Sequence, residues 1–286
     1  MKAGTVALIG RPNVGKSTLV NTIVGQKIAI TSPKPQTTRF PIYGLYEEER
    51  GQIVFIDLPG IFHNAKDLVS KKVNKSILEE IQKDIDVFVY MVDPTRKREF
   101  EEGKVLGIVR KFERPVLLVI NKVDQPAPYL VQYEFLKDEF PDSYSISALQ
   151  DKHIGVLLDK LFELLPERKP LYDRKDYVYP ALNLDSRTFI SELIREKVFL
   201  QTRKELPYTT TVVVDDLVER DNGSLYVKAT VLTTDPVYKK MLIGEGAAKI
   251  KTIGMMARKE LETATNKHVF IDLQVEVDKH WMQTMR

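Results

Sequence analysis

The 286-residue chain contains no cysteine, which excludes disulfides, thiolate metal sites and cysteine nucleophiles and suits a reducing compartment. Histidine is scarce, and His63, His153, His268 and His280 show no metal-ligand spacing. Neither sign of charge dominates: 43 Lys plus Arg against 40 Asp plus Glu give a formal +3, so any surface that attracts polyanions has to be local. Long apolar runs are missing as well. The longest, Val87 to Val92 and Val116 to Ile120, fall far short of the ~20 residues that span a bilayer, and the N-terminus runs straight into a strand-like segment. The expectation is a soluble, untargeted, cytoplasmic monomer without an integral membrane segment, with peripheral membrane association left open. At 43% apolar and 29% charged residues the chain holds enough material for one large or two ordinary domains, which excludes disordered and fibrous classes.

Short β-branched runs recur in the first half, at Thr5 to Ile9, Ile53 to Ile56, Val87 to Val92, Val116 to Ile120 and Tyr144 to Ile146. They are near-continuously apolar, as strands buried on both faces of a parallel sheet are. Helical periodicity falls between them, at Ser17 to Val24, Val69 to Lys83, Phe100 to Phe112, Tyr129 to Phe140 and Gly155 to Leu165. This alternation predicts an α/β domain with a doubly wound, mostly parallel sheet. Pro166 and Pro170 bracket a charged tripeptide, and Tyr172 to Asp185 has no period. The first domain is therefore placed at residues 1–170, a linker at 171–185 and a second domain at 186–286.

The second domain reads as a smaller α+β unit in the order α-β-β-α-α-β. A helix over Phe189 to Leu200 precedes strands at Thr209 to Val218 and Leu225 to Leu232, joined through the hairpin signal Asp221-Asn222-Gly223. Helices at Asp235 to Leu242 and Ala247 to Thr263 are broken by Gly244-Glu245-Gly246, and Val269 to Val277 alternates as a strand with one buried face. The apolar stripe Ile190, Leu193, Ile194, Val198 and Phe199 is expected to face the core.

Gly10 to Ser17 reads G-R-P-N-V-G-K-S between a strand and a helix, the context of a phosphate-binding loop. Glycines let backbone N–H groups curl around phosphate, and the helix N-terminus adds positive potential. Asn13, Val14, Gly15, Lys16, Ser17 and Thr18 are the candidate phosphate-binding residues, with Lys16 on the terminal phosphates and the Ser17 hydroxyl on Mg²⁺. Asp57-Leu58-Pro59-Gly60 ends another strand run, where Asp57 can hold Mg²⁺ and the Gly60 N–H can sense a γ-phosphate. Asn121-Lys122-Val123-Asp124 follows a third run, and a carboxylate at Asp124 can accept both the N1–H and the exocyclic amine of guanine. Ser147 and Ala148 complete this pocket after a fourth. All four motifs fall at carboxyl ends of predicted parallel strands, the edge where doubly wound sheets bind ligands. The Pro-rich segment Ser32 to Phe40 carries Thr37-Thr38-Arg39 and suits a mobile loop that closes on Mg²⁺.

This series resembles the TrmE-Era branch of translation-factor-type GTPases over residues 1 to about 168. The resemblance implies that Thr38 is the switch-one ligand of Mg²⁺, giving Ser17, Thr38 and Asp57 as metal ligands and Lys16, Thr38 and Gly60 as the catalytic set. Many GTPases place a water-orienting glutamine after the D-x-x-G glycine, but Ile61 stands here and cannot orient water. Slow intrinsic hydrolysis follows, on the order of 10⁻⁴ to 10⁻³ s⁻¹ by analogy with an unassisted small GTPase. Asn13 is either a turn residue or, as in relatives with asparagine here, a residue that lets K⁺ assist beside the phosphates.

Between Lys239 and Lys259 there are six positive residues and, before Glu260, one negative, Glu245. Taken alone this is a solvated helix face or a phosphate-binding patch. The element order, with a glycine loop between the central helices, resembles the KH fold in its second topology, whose G-x-x-G loop clamps about four nucleotides of single-stranded RNA. Gly244, Gly246, Ala247, Lys249, Lys251 and Arg258 are then the RNA-binding candidates. Alanine at 247 replaces the second glycine, a change tolerable if that residue is helical in φ and ψ, and Glu245 repels phosphate. Trp281 either stacks on a base or anchors the terminal strand.

Similarity to the Era family covers nearly the whole chain. It implies a GTP-binding and hydrolysing switch, with GTP/GDP and Mg²⁺ as cofactors, that binds the 3′ end of small-subunit (16S-type) ribosomal RNA and acts on the small ribosomal subunit during its assembly. The rival reading is a GTPase whose second domain binds another RNA or a protein, with nucleotide mainly structural.

Overall fold

The computed structural model describes residues 1–32, 34, 37–61, 68–173 and 185–284. The chain divides into two compact units, Met1–Asn183 and Leu184–Arg286.

In the first unit the β-branched runs form a six-stranded sheet ordered β2-β3-β1-β4-β5-β6. Strands β1 (Lys2–Ile9), β3 (Gly51–Asp57), β4 (Val87–Val92), β5 (Val116–Ile120) and β6 (Ser143–Ser145) run parallel. Both faces of β3 and β4 are buried throughout, which is why they read as continuous apolar runs. Helices α1 (Lys16–Val24), α2 (Leu68–Glu80), α3 (Phe100–Val109), α4 (Phe135–Glu139) and α5 (Ile154–Leu164) fall between the strands. Strand β2 (Ile42–Glu48), antiparallel to β3 at the sheet edge, is absent from the sequence reading. Its half-buried residues and its end in Glu47 and Glu48 give it none of the apolar continuity of the central strands.

Helix α2 ends at Glu80, three residues short of expectation, and the helix expected from Phe189 starts three residues early at Ser186; two further differences have a visible side-chain cause. The segment Tyr129 to Phe140 is not one helix: a 3₁₀ turn at Leu130–Tyr133 precedes α4. The break lies where Tyr133 turns inward and its hydroxyl accepts from Arg11 at 3.0 Å and donates to the Arg96 carbonyl at 3.1 Å. Helix α3 stops three residues before Phe112, which leaves the helix and stacks on Phe88 at 3.9 Å between ring centres.

The second unit has a three-stranded sheet ordered β7-β8-β9. Strands β7 (Thr210–Glu219) and β8 (Leu225–Thr233) form the hairpin, and β9 (Val269–Val277) adds in parallel. Helix α6 (Ser186–Gln201) contributes Ile190, Leu193, Ile194 and Val198 to the core, with Leu242 from α7 (Pro236–Ile243) and Ile253, Ala257 and Leu261 from α8 (Ala248–Thr265). Phe199 of the same stripe is buried and meets Tyr208 edge to face. Trp281, in the short α9 (Trp281–Thr284), is buried and donates to the Thr209 carbonyl at 3.2 Å, so it anchors the chain. No helix among the described residues is long and apolar enough to cross a membrane.

Leu171 and Tyr172, expected at the start of the linker, are instead tied to β3. Buried Gln52 accepts from their N–H groups at 2.7 and 3.0 Å and donates to the Tyr172 carbonyl at 2.8 Å. The rest of the expected linker lies mostly outside the described residues. Gln52→Ala should release this tail: limited proteolysis should cut near Leu171 several-fold faster, with a stability loss of about 1–3 kcal/mol from the orphaned amides. An unchanged digestion pattern would show that Gln52 is not what holds it.

Candidate functional site

The phosphate loop connects β1 to α1 at the carboxyl edge of the sheet. Gly15 has a φ of 107°, and a Cβ there would lie 2.1 Å from the Asn121 amide nitrogen, so only glycine fits. Helix α1 has no side-chain cap and no acidic residue in its first turn, whereas α6 and α7 are capped by Asp185 and Asp235. Its orphan N–H groups are thus left for an anion. Lys16 is buried and donates to the carbonyls of Gly10 and Arg11, both at 3.2 Å, folding over the loop. Val14 is buried, while Thr18 is half-buried in the first turn of α1. Asn13 has a φ of 64°, in the left-handed region that asparagine tolerates.

Three hard oxygen donors meet beside this loop. The Ser17 hydroxyl donates to Asp57 Oδ2 at 2.5 Å and lies 3.1 Å from the Thr38 hydroxyl. Thr37 turns elsewhere, to the Lys34 carbonyl at 2.6 Å, so of the two threonines it is Thr38 that joins the cluster. Asp57 Oδ1 is buried with no hydrogen-bond partner. One carboxylate with two hydroxyls matches the way Mg²⁺ is held when phosphate oxygens and waters supply its other ligands. Burial raises Asp57 to about 6 despite Lys16 and Ser17, and burial lowers Lys16 to about 8 despite the pull of Asp57. A cation at the first and phosphates at the second would restore both charges. Gly60 packs so closely on the loop that a Cβ would stand 2.6 Å from Pro12, while Ile61 is buried.

The base-binding candidates lie on the next two strand ends. Asn121 donates to the Val14 carbonyl at 2.7 Å and accepts from the Ala148 N–H at 2.9 Å, linking phosphate loop and base pocket. Asn121 thus positions the two loops relative to each other. Asp124 Oδ1 accepts from the Ser147 hydroxyl at 2.5 Å, which holds its carboxyl below the usual range. Lys122 reaches Asp93 at 2.6 Å.

Asp93 and its neighbours escaped the sequence reading. Desolvation pushes Asp93 up, but bonds from Lys122 and Thr95 prevail and hold its carboxyl below the usual range. It also pairs with Arg96 at 3.1 Å, and Arg96 donates to the Pro12 carbonyl at 2.7 Å. Beneath the loop, buried Arg11 pairs with Glu102 at 3.1 Å, and Glu102 accepts from Tyr90 at 2.7 Å. A charged arginine following the first glycine of the motif was the available signal, yet nothing local names Glu102 as its partner. Arg96 thus supports the loop, while Arg98 lies 4.8 Å over the ring of Phe135.

In the second unit, α7 ends at Gly244, and Glu245–Ala247 form a single 3₁₀ turn before α8. Gly244 is required there, since a Cβ would approach Lys249 to 2.9 Å. Ala247 has φ 62° and ψ 21°, left-handed and not right-handed helical, which overturns the condition on which its methyl was harmless. Gly246 and Glu245 are exposed, as are Lys251 and Arg258, whereas Lys249 is half-buried; Arg258 pairs with Glu262 at 3.0 Å.

Comparison with known proteins follows the same division. A family described as 50S ribosome-binding GTPase matches residues 5–122, and a KH domain matches 205–282. GTPase Era of Halothermothrix orenii is 37% identical over 99% of this chain and 95% of its own length, and that of Lactobacillus delbrueckii subsp. bulgaricus is 40% identical over 99% and 93%. Two solved structures each cover 99% of this chain and 96% of their own, with TM-score 0.90 at 31% identity. One is Aquifex aeolicus Era, as a point variant, bound to GDP·AlF₄⁻; the other is Era with MgGDPNP and nucleotides 1506–1542 of 16S ribosomal RNA.

Ala247→Gly should stabilise the second unit by about 0.5–1 kcal/mol, the left-handed strain of ~1–2 kcal/mol offset by the entropy of the new glycine. Trp281, the single tryptophan, reports it by fluorescence in a urea titration. A midpoint below that of the native chain would contradict the assignment of strain.

Proposed function

The chain belongs to the Era family of GTPases, and from that premise we propose a guanine-nucleotide switch whose second unit binds the 3′ end of small-subunit ribosomal RNA during assembly of the small subunit, as a cytoplasmic monomer. The observation that carries the switch is the meeting of Ser17, Thr38 and Asp57 beside a phosphate loop that Asn121 ties to Ala148. Lys16 and the N–H groups at the start of α1 would hold the β- and γ-phosphates. Ser17, Thr38 and Asp57 would hold Mg²⁺, which when bound neutralises charge on the transferring phosphoryl group. Asp124 would accept from guanine, with Ser147 fixing the carboxylate and Lys122, Asn121 and Ala148 completing the pocket.

Thr38 and Gly60 sit on separate segments that meet the phosphate loop at Ser17 and at Pro12, so a γ-phosphate would order both and its loss would release both. Buried Ile61 offers no group to orient water. Turnover then depends on help from elsewhere, and K⁺ held with Asn13 is the proposed electrostatic aid.

For the RNA half, the support is the likeness to the Era structure that contains 16S ribosomal RNA, together with exposed Lys251 and Arg258 beyond the glycine loop. Glu245 and strained Ala247 in that loop favour one alternative, a different RNA or a protein as partner.

Multiple-turnover GTP hydrolysis in KCl, with an RNA copy of the small-subunit 3′ tail and a scrambled control, tests both halves. The tail alone should stimulate turnover, and replacing KCl by NaCl at equal ionic strength should slow it. Equal rates in the two salts would remove the K⁺ role. Failure of the tail to stimulate, with GTP binding intact, would remove the ribosomal partner.

A further inference from the structure

A cavity of about 550 Å³ lies between α8 and β9 of the second unit. Ile250, Lys251, Gly254, Met255 and Arg258 line it from α8, at the spacing of one helical face, and residues 270–273 of β9 line it opposite. Helix α8 begins at the glycine loop and ends just before β9, so the start of β9 marks the end of the groove remote from that loop. Arg258 is already ~15 Å along the helix from Ala248.

At this remote end stands a group that the glycine loop does not explain. Phe270 is 49% exposed, and Tyr226, its register partner on β8, lies on the same face of the sheet, opposite the core face of Val227 and Val269. The exposed Arg220 guanidinium lies 4.8 Å from the centre of the Tyr226 ring and 5.2 Å from that of Phe270, across both. Among the described residues neither Arg220 nor Lys251 has a carboxylate partner. The acidic residues nearby are Asp272, 3.5 Å from the Tyr226 hydroxyl, Glu262, occupied by Arg258, and Glu219 and Asp221, which flank Arg220 in the chain, Glu219 pairing with Lys267 at 2.7 Å.

We propose that Phe270, Tyr226 and Arg220 form a stacking subsite for a base of single-stranded RNA that continues past the nucleotides clamped at the glycine loop. The inference rests on the reading of the second unit as RNA-binding and adds a second contact to it. Phe270 leaves about half its surface open to a base, and the Arg220 guanidinium over the rings adds a planar cation able to stack on a base or pair with a phosphate. Lys251 and Arg258 on the groove wall attract the connecting backbone.

The test is fluorescence anisotropy of the full chain with RNAs copied from the small-subunit 3′ tail, in a length series from about four to about twelve nucleotides. For the native chain, affinity should rise with length. Phe270→Ala with Arg220→Ala should lose roughly tenfold on the longest RNA and nothing on the shortest that binds. Phe270→Tyr should restore most of the loss, and unaltered GTP hydrolysis and Trp281 fluorescence show the double variant folded. A double variant that binds the longest RNA as the native chain does would overturn the subsite while leaving RNA binding in place. Equal loss at every length would assign these residues to the fold or to the glycine-loop clamp. Binding of no RNA by the native chain would overturn the reading of the unit itself, and the subsite with it.

Discussion

The carboxamide of Asn121 is the interaction on which the nucleotide site depends. It joins the phosphate loop at Val14 to the base pocket at Ala148, and its approach to Gly15 leaves no room for any side chain there. Two loops that would bind opposite ends of one nucleotide are thereby held at a fixed separation. The cost of holding them rigid is met during folding and not during binding, which is how preorganisation raises affinity. The Asp93 and Arg11 networks extend the same principle downwards, bracing the loop from Pro12 and from beneath.

Charge burial sets the other half of the design. Lys16 and Asp57 are both taken out of water, and burial weakens the charged form of each more than their mutual attraction restores it. A site in this condition gains more from phosphate and a divalent cation together than from either alone. That coupling gives Thr38 and Gly60, which touch the same loop, a physical reason to respond to the presence of a γ-phosphate.

The parallel strands were legible because burial on both faces makes them continuously apolar, and the motifs were legible because each sits at a strand end. Strand β2 was not, since an edge strand with one half-exposed face carries a weak pattern. The phosphate-loop support was not either: Asp93 and Glu102 lie 82 and 91 residues from Arg11 in sequence, and only the fold brings them to it. In the second unit the order of elements was readable, while the left-handed backbone of Ala247 was not, because a single alanine carries no signal of its own φ. Nothing in the alternating run Val269 to Val277 sets Phe270 apart from the other residues of its face, and its contact with Arg220 emerges only when β7, β8 and β9 pair.

The central claim is that the strand-end loops build one guanine-selective site. Competition between GTP and XTP for the Asp124→Asn variant tests it most directly. A carboxylate accepts from the N1–H and amine of guanine, whereas an amide also donates and so matches the carbonyl of xanthine. The account predicts loss of GTP binding by two orders of magnitude or more, on the scale of leaving buried polar groups unpaired, with XTP bound in its place. An unchanged preference for GTP would contradict it.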